Sequence, residues 1–442
     1  MDTTNAGVPE LRLDLNYIFS TKTIISFLIF LCPFTMGSFP ILSFNYLVIS
    51  FGCTILLFLI SGKELYLKNY SIQPKLKISV LIFLSSVFLS FIFGLDYRNT
   101  GGFTDFKSDF DSVFLDTIWI MFIQVSLIYM IYISIKNIEE ILFYLKVFLI
   151  SGVIVNIISL YYLKFTNLEQ GRLGGTFQDP NYLGRFEIFI IVLSFAYIIL
   201  KKYSYLIKLG LIFNAFVSFM ILFYSFSRSA LITLGISTFV FLWFTKSKKL
   251  IVTGLFLLVV CFVIILNVTS TKRSDISQNS IGDSGIESVI DLSNTTRIAL
   301  NISSFYMFLD HPIVGVGYRN FYNVYINNSY LPFDIPVALS VSVVHSWFFS
   351  TMAELGIMGL ASICWFFYLL FSNLRRIVKM ARTKINSYND NLKFSAIVLY
   401  VFLFILLFNG MFFPIFYSEL LFSVLIGLIL GVIKVAGSDE RK

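Results

Sequence analysis

The sequence predicts an all-α fold, a polytopic membrane bundle of about twelve transmembrane helices. Three observations carry that expectation. Hydrophobic residues make up 57% of the 442 residues and charged residues 13%, with a mean hydropathy of +0.84, a balance that excludes an ordinary water-soluble domain. Apolar runs of roughly 20 residues recur along the chain, the length a helix needs to cross hydrocarbon while bonding all its own backbone groups. Lysine and arginine gather in alternate loops, as they do when one face of a membrane protein is cytoplasmic.

In order, the expected spans are residues 22–38, 41–60, 77–95, 113–135, 141–164, 184–200, 206–224, 230–245, 250–267, 345–371, 393–411 and 413–433. The first follows MDTTNAGVPELRLD, which lacks a basic leader and a small-residue cleavage site, so it is expected to be a retained helix. One set of loops holds Lys63, Lys68, Lys75, Lys77, Lys136, Lys201, Lys202, Lys208, Lys246, Lys248 and Lys249. The same side continues through Arg375, Arg376, Lys379, Arg382, Lys384 and Lys393 to Lys434, Arg441 and Lys442. These assign that side, and both termini, to the cytoplasm.

The alternate loops are acidic. Asp96, Asp105, Asp109 and Asp111 oppose Arg98 and Lys107, and residues 268–344 hold six acids against Lys272, Arg273, Arg297 and Arg319. The net charge of +8 is then a topology signal and implies no nucleic-acid partner. The chain divides into helices with short loops over 1–267, an extracytoplasmic loop with short helices over 268–344, and three helices with a cytoplasmic tail over 345–442. Cys32, Cys53, Cys261 and Cys364 all fall in apolar segments and are expected as small buried hydrophobes.

The 268–344 loop is too long for a simple connection. Its start, TKRSDISQNSIGDSGIE, is polar and rich in glycine and serine. From Asn294 to Leu309, Ile298, Ile302, Phe305 and Leu309 form a helical stripe, opened by a cap at Asn294 or Thr295 and ended before Pro312. That stripe is expected either on the membrane surface or against the mouth of the bundle. Pro312, Gly315 and Gly317 mark a tight turn, and His311 is a turn residue.

Four places hold candidate chemistry. GRLGGTFQDPNYLGR, residues 171–185, admits two readings: a capped turn with Asp179 or Asn181 starting a helix, or a loop that turns backbone N–H groups and Arg172 toward an anion. Arg228, between Ser227 and Ser229 at a junction of two spans, either snorkels to lipid phosphate or grips a phosphate by paired hydrogen bonds. Arg297 taken alone is a solvated helix-face residue.

His345, one of only two histidines, stands where the polar loop meets the next apolar run. It is either a structural group or a base and hydrogen-bond donor working near neutral pH. On a straight helix over 345–360, Met352, Gly356 and Gly359 would share its face, packed closely on a neighbour, and Glu354 would point away. No metal-ligand motif is visible, so a metal-independent reaction without a cofactor is expected.

Taken in order, GRLGGTFQDPNYLG, SRSALITLG, TTRIALNISSFYMFLDHPIVGVGYRNF and HSWFFSTMAELGIMGL resemble the O-antigen ligase and O-antigen polymerase superfamily, over residues 171–360. The resemblance implies a GT-C-like glycosyltransferase using an oligosaccharide on undecaprenyl pyrophosphate at the outer face of the membrane. It carries the family's arginines to Arg172, Arg228 and Arg297 and its loop histidine to His345. His345 and Arg297 are then the catalytic pair, while Arg172, Arg228, Arg319 and Tyr318 bind pyrophosphate and glycan. Ser346 departs from the asparagine that often follows the family's histidine.

Within the superfamily a polymerase is favoured over a ligase, since nothing signals a lipid A acceptor. Tyr318, Phe321, Tyr322, Tyr325 and Tyr330 also offer rings to a sugar chain. Membrane lipids and a chain-length regulator are the implied partners. The rival from another class is a flippase, which should carry ionisable residues deep in several spans; Glu187 is the best candidate for one.

Overall fold

The computed structural model describes residues 20–34, 52–59, 73–93, 121–165, 172–177, 179–245, 286–327, 330, 344–383, 386–412 and 420–439. Within them the architecture is all-helical. We number the helices α1 (Thr21–Leu31), α2 (Pro74–Phe93), α3 (Ile138–Phe165), α4 (Pro180–Leu200), α5 (Tyr205–Tyr224), α6 (Arg228–Thr245), α7 (Ile286–Asp310), α8 (Phe321–Asn327), α9 (Trp347–Met380), α10 (Ser387–Asn409) and α11 (Leu420–Asp439).

Eight of the expected spans appear as helices long and apolar enough to cross a membrane: α2 to α6 and α9 to α11. The spans expected at 22–38 and 113–135 appear as the shorter apolar helices Thr21–Phe34 and Met121–Ser134. The span expected at 41–60 is described only for residues 52–59, and that at 250–267 lies outside the described residues. The polar stretch opening the long loop also lies outside them.

Local chemistry sets the helix starts. Asn137 accepts from Glu140 N at 3.0 Å while Glu140 Oε2 accepts from Lys136 N at 2.8 Å, a reciprocal cap on α3. Asp179 caps α4, with Pro180 at the first helical position. Asn386 caps α10 by accepting from Asn389 N at 2.7 Å.

Helices α4, α10 and α11 form the inside of the bundle, with 78%, 67% and 83% of their apolar windows buried, against 33% for α2, α5 and α6, which face outward. The core runs through Phe148, Phe186, Phe189 and Phe402, whose rings meet edge-on or tilted at centroid distances of 4.8–6.2 Å. Cys32 and Cys53 are buried as expected; Cys364 is exposed on the outward face of α9, and Cys261 lies outside the described residues.

The bundle has two chemically different ends. At one, Lys201 bonds Asn391, Asn391 bonds Glu139 at 2.7 Å, and Arg382 reaches Phe244 O at 2.7 Å. The other end gathers the starts of α4, α6 and α9 and the ends of α3, α5 and α10. There Trp347 N donates to Gly410 O and Trp347 Nε1 to Leu407 O, seating the start of α9 on α10.

Two expectations for the long loop and its successor are corrected. Helix α7 starts at Ile286, running through the expected caps Asn294 and Thr295, which a helix interior tolerates at small cost. It ends at Asp310, as expected ahead of Pro312. Helix α9 is not straight from residue 345: it begins at Trp347 and breaks at Gly356, which has φ 61° and ψ −160°.

The segment 312–317 fills that break. Val316 N donates to Ala353 O, Gly317 N to Glu354 O, Ile357 N to Pro312 O and Met358 N to Ile313 O, over 2.8–3.3 Å. The turn thus replaces the hydrogen bonds that the broken helix cannot make itself. A Cβ on Gly356 would stand 2.5 Å from the Ile313 carbonyl, and one on Gly315 would collide with the Glu354 backbone. Gly356 is therefore a backbone-to-backbone contact with the loop; a Cβ on Gly359 would meet Leu355 of its own helix.

Candidate functional site

The loop after α3 is stitched to the turn between α5 and α6. Leu173 N donates to Tyr224 O at 3.0 Å, and Phe177 N closes a turn on Gly174 O at 2.9 Å. Arg172 is half-buried; its Nε donates to Ser225 O at 3.1 Å and its Nη2 to Asn181 Oδ1 at 3.2 Å. Asn181 Oδ1 also accepts from Ser227 Oγ at 2.8 Å, and Ser227 Oγ lies 3.3 Å from Ser229 Oγ. Gly184 lets α4 approach α6, since a Cβ there would touch Ala230 Cβ at 3.0 Å and Ser225 Oγ at 3.1 Å. Phe226, with φ 49°, makes the sharp turn that aims Ser227 and Arg228 at this junction.

Asp179 combines both readings of its loop. Its Oδ1 accepts from Asn181 N and Nδ2, each at 2.7 Å, which caps α4. It is also the carboxylate that acts on Arg172, Arg297 and His345. Arg228 is exposed at the first residue of α6, and its charge acts on both other arginines. The structure thus brings together Arg172, Arg228, Arg297 and His345, residues drawn from four separate segments of sequence.

Among the described residues, the charges that act on one another here are three arginines, His345 and the carboxylate of Asp179. Burial is the main influence lowering the pKa of Arg172 from its ordinary value; Asp179 opposes it, and Arg297 and Arg228 add to it. Arg297 is lowered by burial, with Asp179 opposing and Arg228 reinforcing. It is half-buried on α7, so the solvated reading suggested by its sequence is corrected: α7 packs on α9 and turns Arg297 toward the other charges.

His345 is pushed below the ordinary histidine value by burial first and Arg297 second, against Asp179. It lies just before the N-cap Ser346 and outside α9, so the straight-helix argument about Glu354 does not apply. Glu354 instead accepts from Phe321 N through Oε1 at 3.4 Å, while its backbone carbonyl accepts from Ser90 Oγ.

Tyr318 and Arg319 occupy the turn before α8. Arg319 has φ 58° and is exposed, and it is not among the charges that shift Arg172, Arg297 or His345. The aromatic segment is only partly available to a sugar. Phe321 and Tyr325 stack at 5.4 Å inside a small core with Ala299, Leu300, Met307, Val316, Val344 and Ala353. Tyr330 spends its hydroxyl on Asp310 at 2.6 Å. Tyr318 and Tyr322 remain half-buried.

Three helices, α4, α6 and α9, begin at this site, so their N-terminal partial charges add to the arginines. Such an arrangement has the chemistry to hold a polyanion beside an imidazole. Among the described residues no group of three or more His, Cys, Asp or Glu gathers to hold a metal ion, and the charge comes from arginine.

No curated protein matches the chain. Residues 213–364, from within α5 to within α9, match the family model described as O-antigen ligase, a segment containing Arg228, Arg297, Tyr318, Arg319 and His345 but ending short of Arg172 and Asp179. Over three of the four motifs whose order first pointed there, this multi-pass membrane protein is thus similar to the O-antigen ligase family, which supports the resemblance to the O-antigen ligase and polymerase superfamily.

Proposed function

We propose that the chain is a polysaccharide polymerase of the bacterial inner membrane, with both termini in the cytoplasm and the arginine cluster at the outer face. It transfers a glycan from undecaprenyl pyrophosphate to a new lipid-linked repeat unit. The observation that carries this reading is the set of mutually acting charges on Arg172, Arg228, Arg297 and Asp179, of which Arg297 and Asp179 also act on His345.

In the proposed reaction the arginines hold the donor pyrophosphate and stabilise the charge that grows on it as its bond to sugar C1 breaks. An acceptor hydroxyl forms the new bond to C1 from the opposite face, inverting it, and its proton passes to neutral His345. The lowered pKa of His345 keeps the imidazole in the form that can take that proton. Tyr318 and Arg319, on the turn beyond this cluster, are assigned to the glycan.

A ligase would use the same donor site, and the description of the matching family model favours that second reading. Purified protein given lipid-linked repeat units is expected to yield a ladder of longer chains. Absence of a ladder, with transfer to lipid A core, would turn the assignment to ligase. A chain-length regulator would alter the ladder's length without being needed for bond formation.

The flippase reading rests on Glu187, fully buried within α4, the helix whose Ser194 accepts from Asn214 of α5 at 3.4 Å, while Asn156 of α3 donates to Asn214 at 3.0 Å and to Ser218 of α5 at 2.9 Å. These contacts tie three helices together and fit a structural polar layer.

A further inference from the structure

Helix α7 carries apolar residues on two faces, one buried against the bundle and one exposed. Toward the bundle it buries Ala299, Leu300 and Met307 together with Thr296, Ser303 and Ser304, the serine hydroxyls satisfied by Ala299 O, Leu300 O and Tyr330 O at 2.6–2.9 Å. Away from the bundle it exposes Ile298 at 56%, Phe305 at 44% and Leu309 at 54%. A water-facing helix carries polar residues on its outer face, where α7 carries this apolar stripe. The helix packs on α9 through its inner face, while Ile298, Phe305 and Leu309 of the stripe face away from the bundle and Ile302 is half-buried.

The stripe is also continuous with surface that belongs to a membrane span. Beyond Leu309 it passes to Ile313, 62% exposed, whose carbonyl accepts from Met358 N of α9, beside Ile357, 48% exposed on that span. The level is fixed independently by Ser90, in the last turn of span α2, which donates to Glu354 O at 2.5 Å. Around Ser90, Phe88, Ile92 and Phe93 are all exposed apolar residues of a membrane-crossing helix.

We propose that α7 is moored in the bilayer, with Ile298, Phe305, Leu309 and Ile313 against lipid acyl chains at the boundary with the headgroups. The helix carrying Arg297 is then fixed at membrane depth, instead of rising into water as part of a soluble loop. This inference rests on the burial pattern of α7 and is independent of the enzymatic reading.

The test uses full-length protein in lipid nanodiscs, with the four native cysteines replaced by alanine and single cysteines at Ile298, Phe305 or Leu309 carrying a bimane label. Each label is expected to be quenched by lipids brominated on the acyl chain and to resist aqueous iodide, whereas a label at Lys202→Cys shows the reverse. Quenching by iodide without quenching by lipid would overturn the proposal. So would protection from both quenchers, which would place a second copy or a partner protein on the stripe. If the cysteine-depleted protein does not fold, Leu309→Trp in the otherwise native chain gives the same comparison through its added emission. A variant without activity but with lipid-quenched labels would leave the mooring intact and count only against the enzymatic reading.

Discussion

Asp179 shows how one side chain serves a helix and a site at once. Replacing it by Ala removes the cap of α4, a loss of about 0.5–2 kcal/mol, together with the anion beside the arginines. Asp179→Asn keeps the cap and removes only the charge, so stability is expected to hold while the pH profile moves. Asp179 raises the His345 pKa against burial and Arg297, so its neutralisation lowers that pKa further and shifts the acid limb of activity to lower pH. Arg297→Met does the opposite, and its small residual activity is expected to have an acid limb at higher pH. Steady-state transfer rates across pH check both signs. The same shift acts on stability: a histidine depressed in the fold contributes fully above its unfolded value and loses that contribution as pH falls through the folded value. His345→Ala is expected to abolish product while protein abundance in the membrane stays unchanged; normal chain lengths from it would remove His345 from the mechanism. The histidine and three of the arginines were legible because motif order supplied their company. Asp179 was legible only as a cap, since nothing in a linear sequence shows that a cap at residue 179 faces a helix near residue 297.

At the scale of elements, the break in α9 makes the sharpest prediction. Gly356→Ala would force a side chain into a left-handed backbone position and against the Ile313 carbonyl, costing about 1–3 kcal/mol for the strain before any clash is counted. Gly210→Ala, in α5 with nothing within 4 Å of the added methyl, is expected to be neutral or stabilising. Thermal unfolding of the two variants in detergent should separate them clearly. Periodicity could not reveal the break, because the residues on both sides of Gly356 are as apolar as an unbroken span requires. It did find the stripe on α7, but a stripe states only which residues share a face. Which medium meets that face depends on the partner helix, and here the side carrying Ala299, Leu300 and Met307 packs with Ala353 of α9.

For the molecule as a whole, hydropathy was sufficient for the class and for eight spans, since span length is set by bilayer thickness and not by neighbours. The two ends of the bundle differ, one built on Lys201, Glu139 and Arg382 and the other on the arginine cluster, and the loop charges assign the first to the cytoplasm as an expectation. A membrane-impermeant thiol reagent is therefore expected to label Arg228→Cys in intact spheroplasts and Lys202→Cys only after permeabilisation; the reverse pattern would invert the topology. The clasp between residues 312–317 and the gap at Gly356 has a consequence for inheritance. Each segment supplies the hydrogen bonds that the other lacks, and neither set can be borrowed from water inside a membrane. The loop and the helix after it are thus one unit of exchange: a chimera that imports a relative's 286–343 alone should assemble poorly, and importing 344–360 with it should restore assembly.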